Sequence, residues 1–124
     1  MMISAPGVGQ VDLPAIAAGA AGHVAVTYYA SHDPSAQLET AYITQTADAT
    51  DPRPLLYSGA INEPAHPIFH DYGLSDSPRA DFIGGSYDKA GTQFWAGVVK
   101  QLGPPDSKGY IQTTGYVGTL WFSK

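Results

Sequence analysis

The chain has 124 residues, enough for one domain, with 44% apolar residues and 14% charged ones against the roughly 25% of an average globular protein. A net charge of −5 with six Lys plus Arg excludes nucleic acid and anionic membrane surfaces as partners, because both are gripped through basic patches. The absence of cysteine excludes disulfides and thiolate metal sites.

Fourteen Gly, ten Pro and eight Tyr predict short strands joined by many turns. Residues 1–10 read as a frayed leading segment, with neither the basic flank nor the apolar run of a signal peptide. No apolar stretch approaches the ~18 residues of a membrane span. The first strand is expected over 12–17, with Pro14 near its start or on a sheet edge because it cannot donate to a ladder. "GAAG" (19–22) is a tight turn. The run "HVAVTYYA" (23–30) alternates, with Val24, Val26 and Tyr28 on one face and Ala25, Thr27 and Tyr29 on the other. Asp33-Pro34 marks a loop, and "LETAYITQT" (38–46) a third strand with Leu38, Thr40, Tyr42, Thr44 and Thr46 sharing a face. A short fourth strand is expected at 55–57. Residues 58–78 are polar and proline-rich, and are expected to form a long functional connection.

Then the pattern restarts. A strand over 81–87, the turn "DKAG", a strand over 92–100, the loop "QLGPPDSK" (101–108), a strand over 110–114 and a last short one over 119–122 repeat the earlier order. Gly91 follows Asp81 as Gly22 follows Asp12, and Tyr110-Ile111 echoes Tyr42-Ile43. The expectation is an all-β chain, residues 1–124, made of two four-stranded antiparallel blade-like units, 12–57 and 81–122, joined by the 58–78 loop. A four-stranded meander recurring at a fixed period is the sequence sign of a β-propeller, although a ring needs four to eight blades.

Two stretches sharpen this. Thr46-Ala47-Asp48-Ala49-Thr50 and Thr114-Gly115-Tyr116-Val117-Gly118-Thr119-Leu120-Trp121 are degenerate versions of the Asp-box turn S-x-D-x-G-x-T-W. With "AAGAAGHVAVTYYAS" and "SPRADFIGGSYDKAGTQFWAGV", they make the chain resemble the sialidase-like (BNR-repeat) six-bladed propellers over 12–122, roughly two blades of such a ring. The resemblance implies a secreted carbohydrate-binding relative. It also implies a catalytic set of an arginine triad, a Tyr–Glu nucleophile pair and an Asp acid/base. That set does not transfer, because Arg53 and Arg79 are the only arginines and Glu39 and Glu63 the only glutamates. The expectation is therefore a non-catalytic propeller fragment or module. The alternative is an exo-sialidase or other glycoside hydrolase completed by missing blades or by oligomerisation.

The topology of such a unit puts Asp48, Asp88 and the glycine turns at one end. His32, the 58–78 loop and 101–108 lie at the other, where the family binds substrate. Candidate substrate-binding residues are accordingly Arg79, whose fork suits a carboxylate, and His70, Asp71 and Tyr72. The bland reading of Arg79 is an ion pair with Asp76 or Asp81. His66 and His70 have metal-ligand spacing, but Pro64 and Pro67 forbid a regular helix, so no metal or other cofactor is expected. Tyr28, Tyr29, Tyr42, Phe94, Trp95, Tyr110, Trp121 and Phe122 are expected to form core between blades. The apolar sides that a ring would cover predict self-association of the isolated chain.

Overall fold

A computed structural model describes residues 2–32, 38–63, 68–70 and 83–121. The described residues contain strands and no helix: β1 (Gln10–Ala18), β2 (Val24–Ser31), β3 (Leu38–Thr46), β4 (Tyr57–Ala60), β5 (Phe69–His70), β6 (Ile83–Tyr87), β7 (Phe94–Gln101) and β8 (Thr113–Thr119). All pairings are antiparallel. One sheet runs β1-β2-β3-β4, with β5 also on β3, and the other runs β6-β7-β8.

Proline shapes the first edge. The β1–β2 register shifts between Asp12 and Ala15, and Leu13 sits at φ 47° inside this bulge. Pro14 thus falls where the ladder is already broken, on an edge strand. β2 and β3 are buried on both faces, so the alternation seen in the sequence separates two apolar environments rather than core from solvent.

The fourth strand departs from expectation. It covers 57–60 instead of 55–57, and the supposed loop 58–78 begins inside it. Ile61 N donates to Ala41 O at 2.9 Å, the chain leaves the edge, and Ile68 N returns to Glu39 O at 2.9 Å. Across the gap the Asn62 Oδ1 accepts the Ala41 N–H at 3.0 Å, so a side chain replaces the missing strand partner. Only 64–67 and 71–78 of that loop lie outside the described residues.

The leading segment is not frayed. Ala5 is buried, its N–H donates to Tyr28 Oη at 2.8 Å, and Gly9 N donates to Ser31 O at 2.9 Å. This strap covers Val26, Tyr28 and Tyr42, with Val8 packed alongside. Residues 2–9 bury one face of the first sheet because that face carries two stacked tyrosines, with centroids 5.6 Å apart, that would otherwise be wet.

The opposite face of the first sheet packs on the second sheet. Ala25, Ile43, Phe94 and Ala96 form one contact layer, and Tyr29, Ala41, Ile68 and Val98 another. Polar ties cross the interface. Val99 N donates to Tyr29 Oη at 2.8 Å, Tyr116 Oη to Ile61 O at 2.9 Å, and Gln45 Nε2 to Leu120 O at 3.0 Å. Ile68 bridges both sheets by backbone, since Gln101 N donates to Ile68 O at 2.9 Å. Gly118 is held small by this packing, because a Cβ there would stand 2.7 Å from Ile61 Cβ.

The two sheets stack in the same sense, like successive steps of a stair. Gly19 N donates to His23 O, and Asp88 N to Gln93 O, each at 2.9 Å. These bonds close the β1–β2 and β6–β7 hairpins at equivalent rungs. The next rungs are then Ala18–Val24 and Tyr87–Phe94, and the ones after are Ala17–Ala25 and Ser86–Trp95. Ala17 and Ala25 face the second sheet, whereas their counterparts Ser86 and Trp95 face away from the first. The face of sheet one that packs on sheet two therefore corresponds to the face of sheet two that is open. β1 and β6, the first strand of each meander, lie side by side, and Ala20 N donates to Gly91 O at 2.8 Å.

The second unit has three strands among the described residues instead of four. Residues 114–119, expected to be an Asp-box turn, are the body of β8. Tyr116 replaces the aspartate that would have captured turn amides, and alternating Thr, Tyr and Val favour extended backbone. Asp106 does the turn-making instead, upstream, accepting Lys108 N at 2.8 Å and Tyr110 N at 2.9 Å through Oδ1.

Candidate functional site

Of the four substrate-binding candidates, Arg79, Asp71 and Tyr72 lie outside the described residues, as do Asp76, Asp81 and His66. His70 is placed by its backbone on β5, opposite Leu38 at the start of β3. That is the end of the sheet reached by His32 and by the start of the β7–β8 connection, as the topology predicted. Among the described residues no three His, Asp or Glu side chains gather as metal ligands would.

The other end collects the turns. Ala49 N donates to Gly22 O at 2.9 Å, joining the β1–β2 and β3–β4 turns, and Gly91 touches Ala20. Gly22 and Gly91 have φ of 83° and 72°, so both turns need the left-handed region that glycine enters without a Cβ clash. Two carboxylates hold turns here. Asp48 accepts from Thr46 Oγ1 and from Leu55 N at 3.1 Å, and the Thr46 bond above all holds its carboxyl below the usual 3.8. Asp88 Oδ1 accepts Thr92 N at 2.9 Å and Gln93 N at 3.2 Å, and these backbone bonds lower its pKa as well. Carboxylates so held are turn keystones, poor proton donors to a substrate.

A second polar group lies under the strap. His32 Nδ1 is 3.0 Å from Gly7 O, which can only accept, so Nδ1 carries a proton, and Nε2 stands 2.7 Å from Tyr42 Oη. Tyr28 Oη meets Thr44 Oγ1 at 3.0 Å, and Thr44 meets Ser58 Oγ at 2.7 Å. Burial, with Tyr28 close by, raises the Tyr42 pKa. The cluster ties the strap to three strands.

The open face of the second sheet differs in kind. Gly84, Gly97 and Gly115 floor a groove of about 400 Å³, and a Cβ built on any of them would meet nothing within 4 Å. Val99 and Val117 wall it, and Trp95, 44% exposed, stands at its end. Trp95, Tyr110 and Trp121 were expected in the core, yet all three are exposed, while Tyr28, Tyr29, Tyr42 and Phe94 are buried as expected. Phe122 lies outside the described residues. The groove has almost no polar lining. Sugars require several directed hydrogen bonds, so this face suits another apolar protein surface better than a carbohydrate. Sequence reading missed it because Phe94 and Trp95 are adjacent, and only the strand phase tells which of them points out.

Compared with known proteins, the chain matches no family model, no curated protein and no solved structure.

Proposed function

We propose that the chain is a two-blade segment of a sialidase-like β-propeller that works as a non-catalytic interaction module. The observation that carries this reading is the same-sense stacking of the two sheets with β1 and β6 adjacent. Blades around a propeller axis repeat by rotation, so each presents one kind of face to its predecessor and the other kind to its successor. Two unrelated sheets in a sandwich have no reason to share rungs, turn glycines and stacking sense. The D-x-x-G turn at 88–91 and the aspartate-capped turn at Asp48 support the family likeness.

The module reading follows from the carboxylates. Asp48 and Asp88, the turn aspartates of the two units, are held by their own turns, Asp48 by Thr46 Oγ1 and Leu55 N and Asp88 by Thr92 N and Gln93 N. Glycoside cleavage needs an acid and a nucleophile presented to the substrate. The test is turnover of an activated sialoside by the purified chain. The expected rate is that of buffer. Turnover that Arg79→Ala abolishes would replace this reading with that of a glycosidase completed on assembly.

A further inference from the structure

The open face of the second sheet is built like a surface that this fold buries. Its outward residues Trp95, Gly97 and Val99 on β7 occupy the rungs of Ala25, Thr27 and Tyr29 on β2, all three fully buried. On β8, Gly115 and Val117 occupy the rungs of Ala41 and Ile43, also fully buried. Val117 is 65% exposed. Among the described residues the face has no charged side chain: β6 offers Gly84 and Ser86, β7 adds Gln101, and β8 adds Thr113 and Thr119. A patch without charge, on a chain with a net charge of −5, is where two copies can meet without repulsion.

The other end of the stack is mostly covered, with Ile16 on β1 left 73% exposed beside the cover. The counterpart surface on the first sheet carries Val26, Tyr28 and Tyr42, and the strap with Ala5 and Val8 already covers it. Three hydrogen bonds hold that strap: Ala5 N to Tyr28 Oη, Gly9 N to Ser31 O, and His32 Nδ1 to Gly7 O. Head-to-tail addition of a further copy would have to peel it off. Among the described residues the outer face of β6-β7-β8 has no such cover, and one uncovered face per chain closes as a pair.

We infer that the isolated chain forms a two-fold dimer through the outer face of β6-β7-β8, with Trp95 of each copy seated in the Gly84–Gly97 trough of the other. Facing sheets stand about 10 Å apart, and a glycine floor leaves a gap there that only a large side chain from across can fill. Trp95 and Gly97 are next-but-one on β7 and point the same way. A two-fold axis lying between the facing sheets, perpendicular to β7 and level with Ala96, therefore lays knob over hollow twice, which is the self-complementarity an isologous contact requires. The inference rests on the module reading, in that this face serves to bind protein. Its occupant is a second copy of this chain.

Sedimentation equilibrium on the 124-residue chain tests it, with circular dichroism as the check on folding. The expected result is a monomer–dimer equilibrium ending at twice 13.0 kDa. Gly97→Glu, which fills the trough with a charge, and Trp95→Ser, which removes the knob, are each expected to weaken it by about tenfold or more. In a Trp121→Phe background, the remaining Trp95 emission should shift to the blue as concentration rises. A folded chain that stays monomeric at 100 µM would overturn the dimer. Oligomers that keep growing past two, or a dimer indifferent to Trp95→Ser, would do the same. None of these outcomes touches the module reading, which falls only to sialoside turnover.

Discussion

Asp48 and Asp88 show what a single residue contributes to this fold. Each sits at a turn and offers its carboxylate to amides that the backbone pairing leaves over. Both groups have folded pKa values below the usual 3.8. A lowered pKa means that the folded state favours the ionised form. That stability is fully present above about pH 4 to 5 and is lost as pH falls through the lowered folded values. Both side chains are solvent-exposed, so water and salt screen the effect. The double variant Asp48→Asn, Asp88→Asn should therefore unfold at lower urea than wild type at pH 6, with the gap narrowing towards pH 2. A gap of equal size at both pH values would show that the turns do not use the charge. Tyr28 is the buried counterpart. Tyr28→Phe leaves the Ala5 amide and Thr44 hydroxyl without their shared partner, at a cost of about 1–3 kcal/mol. The urea midpoint reads the cost, and faster amide exchange at Ala5 would locate it in the strap.

At the scale of elements, the strands carried most of their own signal. β3 runs over 38–46 as its alternation predicts, and the two faces of β2 divide as Val24, Val26 and Tyr28 against Ala25, Thr27 and Tyr29. Pro14 announced an edge. The repeat was legible too, from Gly22 and Gly91. Its phase was not. The turn between Tyr87 and Phe94 has one residue more than that between Ala18 and Val24, and a one-residue slip flips every side chain that follows. Counting along the chain aligns Ala25 with Phe94, whereas the hydrogen bonds align it with Trp95. That single step decides which aromatic enters the core and which stands open, and so hid the groove. The strap was illegible for another reason. Ala5 and Val8 have no periodicity of their own, and their burial is set by the tyrosines they cover. At the β8 end, an apparent Asp-box lacking its Asp had nothing to hold a turn, and extended pairing with β7 won. Of the candidate site, His70 lies on β5 opposite Leu38, while the residues that line the open face came from structure alone.

At the scale of the molecule, the question is whether two stacked sheets behave as one body. Among the described residues the second sheet has three strands, and its only apolar cover is the first sheet. Three strands are the fewest that stand independently in water, and then only with a hydrophobic face to pack. The first sheet is better provided, with a strap on one side, but its other face holds Ala25, Tyr29, Ala41 and Ile43 at full burial only because β7 and β8 lie over them. The ties between the sheets are backbone and side-chain bonds at both ends. Ala20–Gly91 sits at the turn end and Ile68–Gln101 at the other, with Tyr29–Val99 and Gln45–Leu120 between. Losing either sheet strands buried donors and acceptors in the other, so partial unfolding costs nearly as much as complete unfolding. The chain should therefore unfold in one step. Both tryptophans belong to the second sheet's side of the molecule, while far-ultraviolet dichroism reports strands from both sheets. At a concentration low enough to keep the chain monomeric, the urea curves from the two signals should coincide in midpoint and slope. Tryptophan emission that shifts first, while dichroism holds, would mean that the second sheet peels away as an independent unit. It would also mean that the stacking contributes little to holding the fold together.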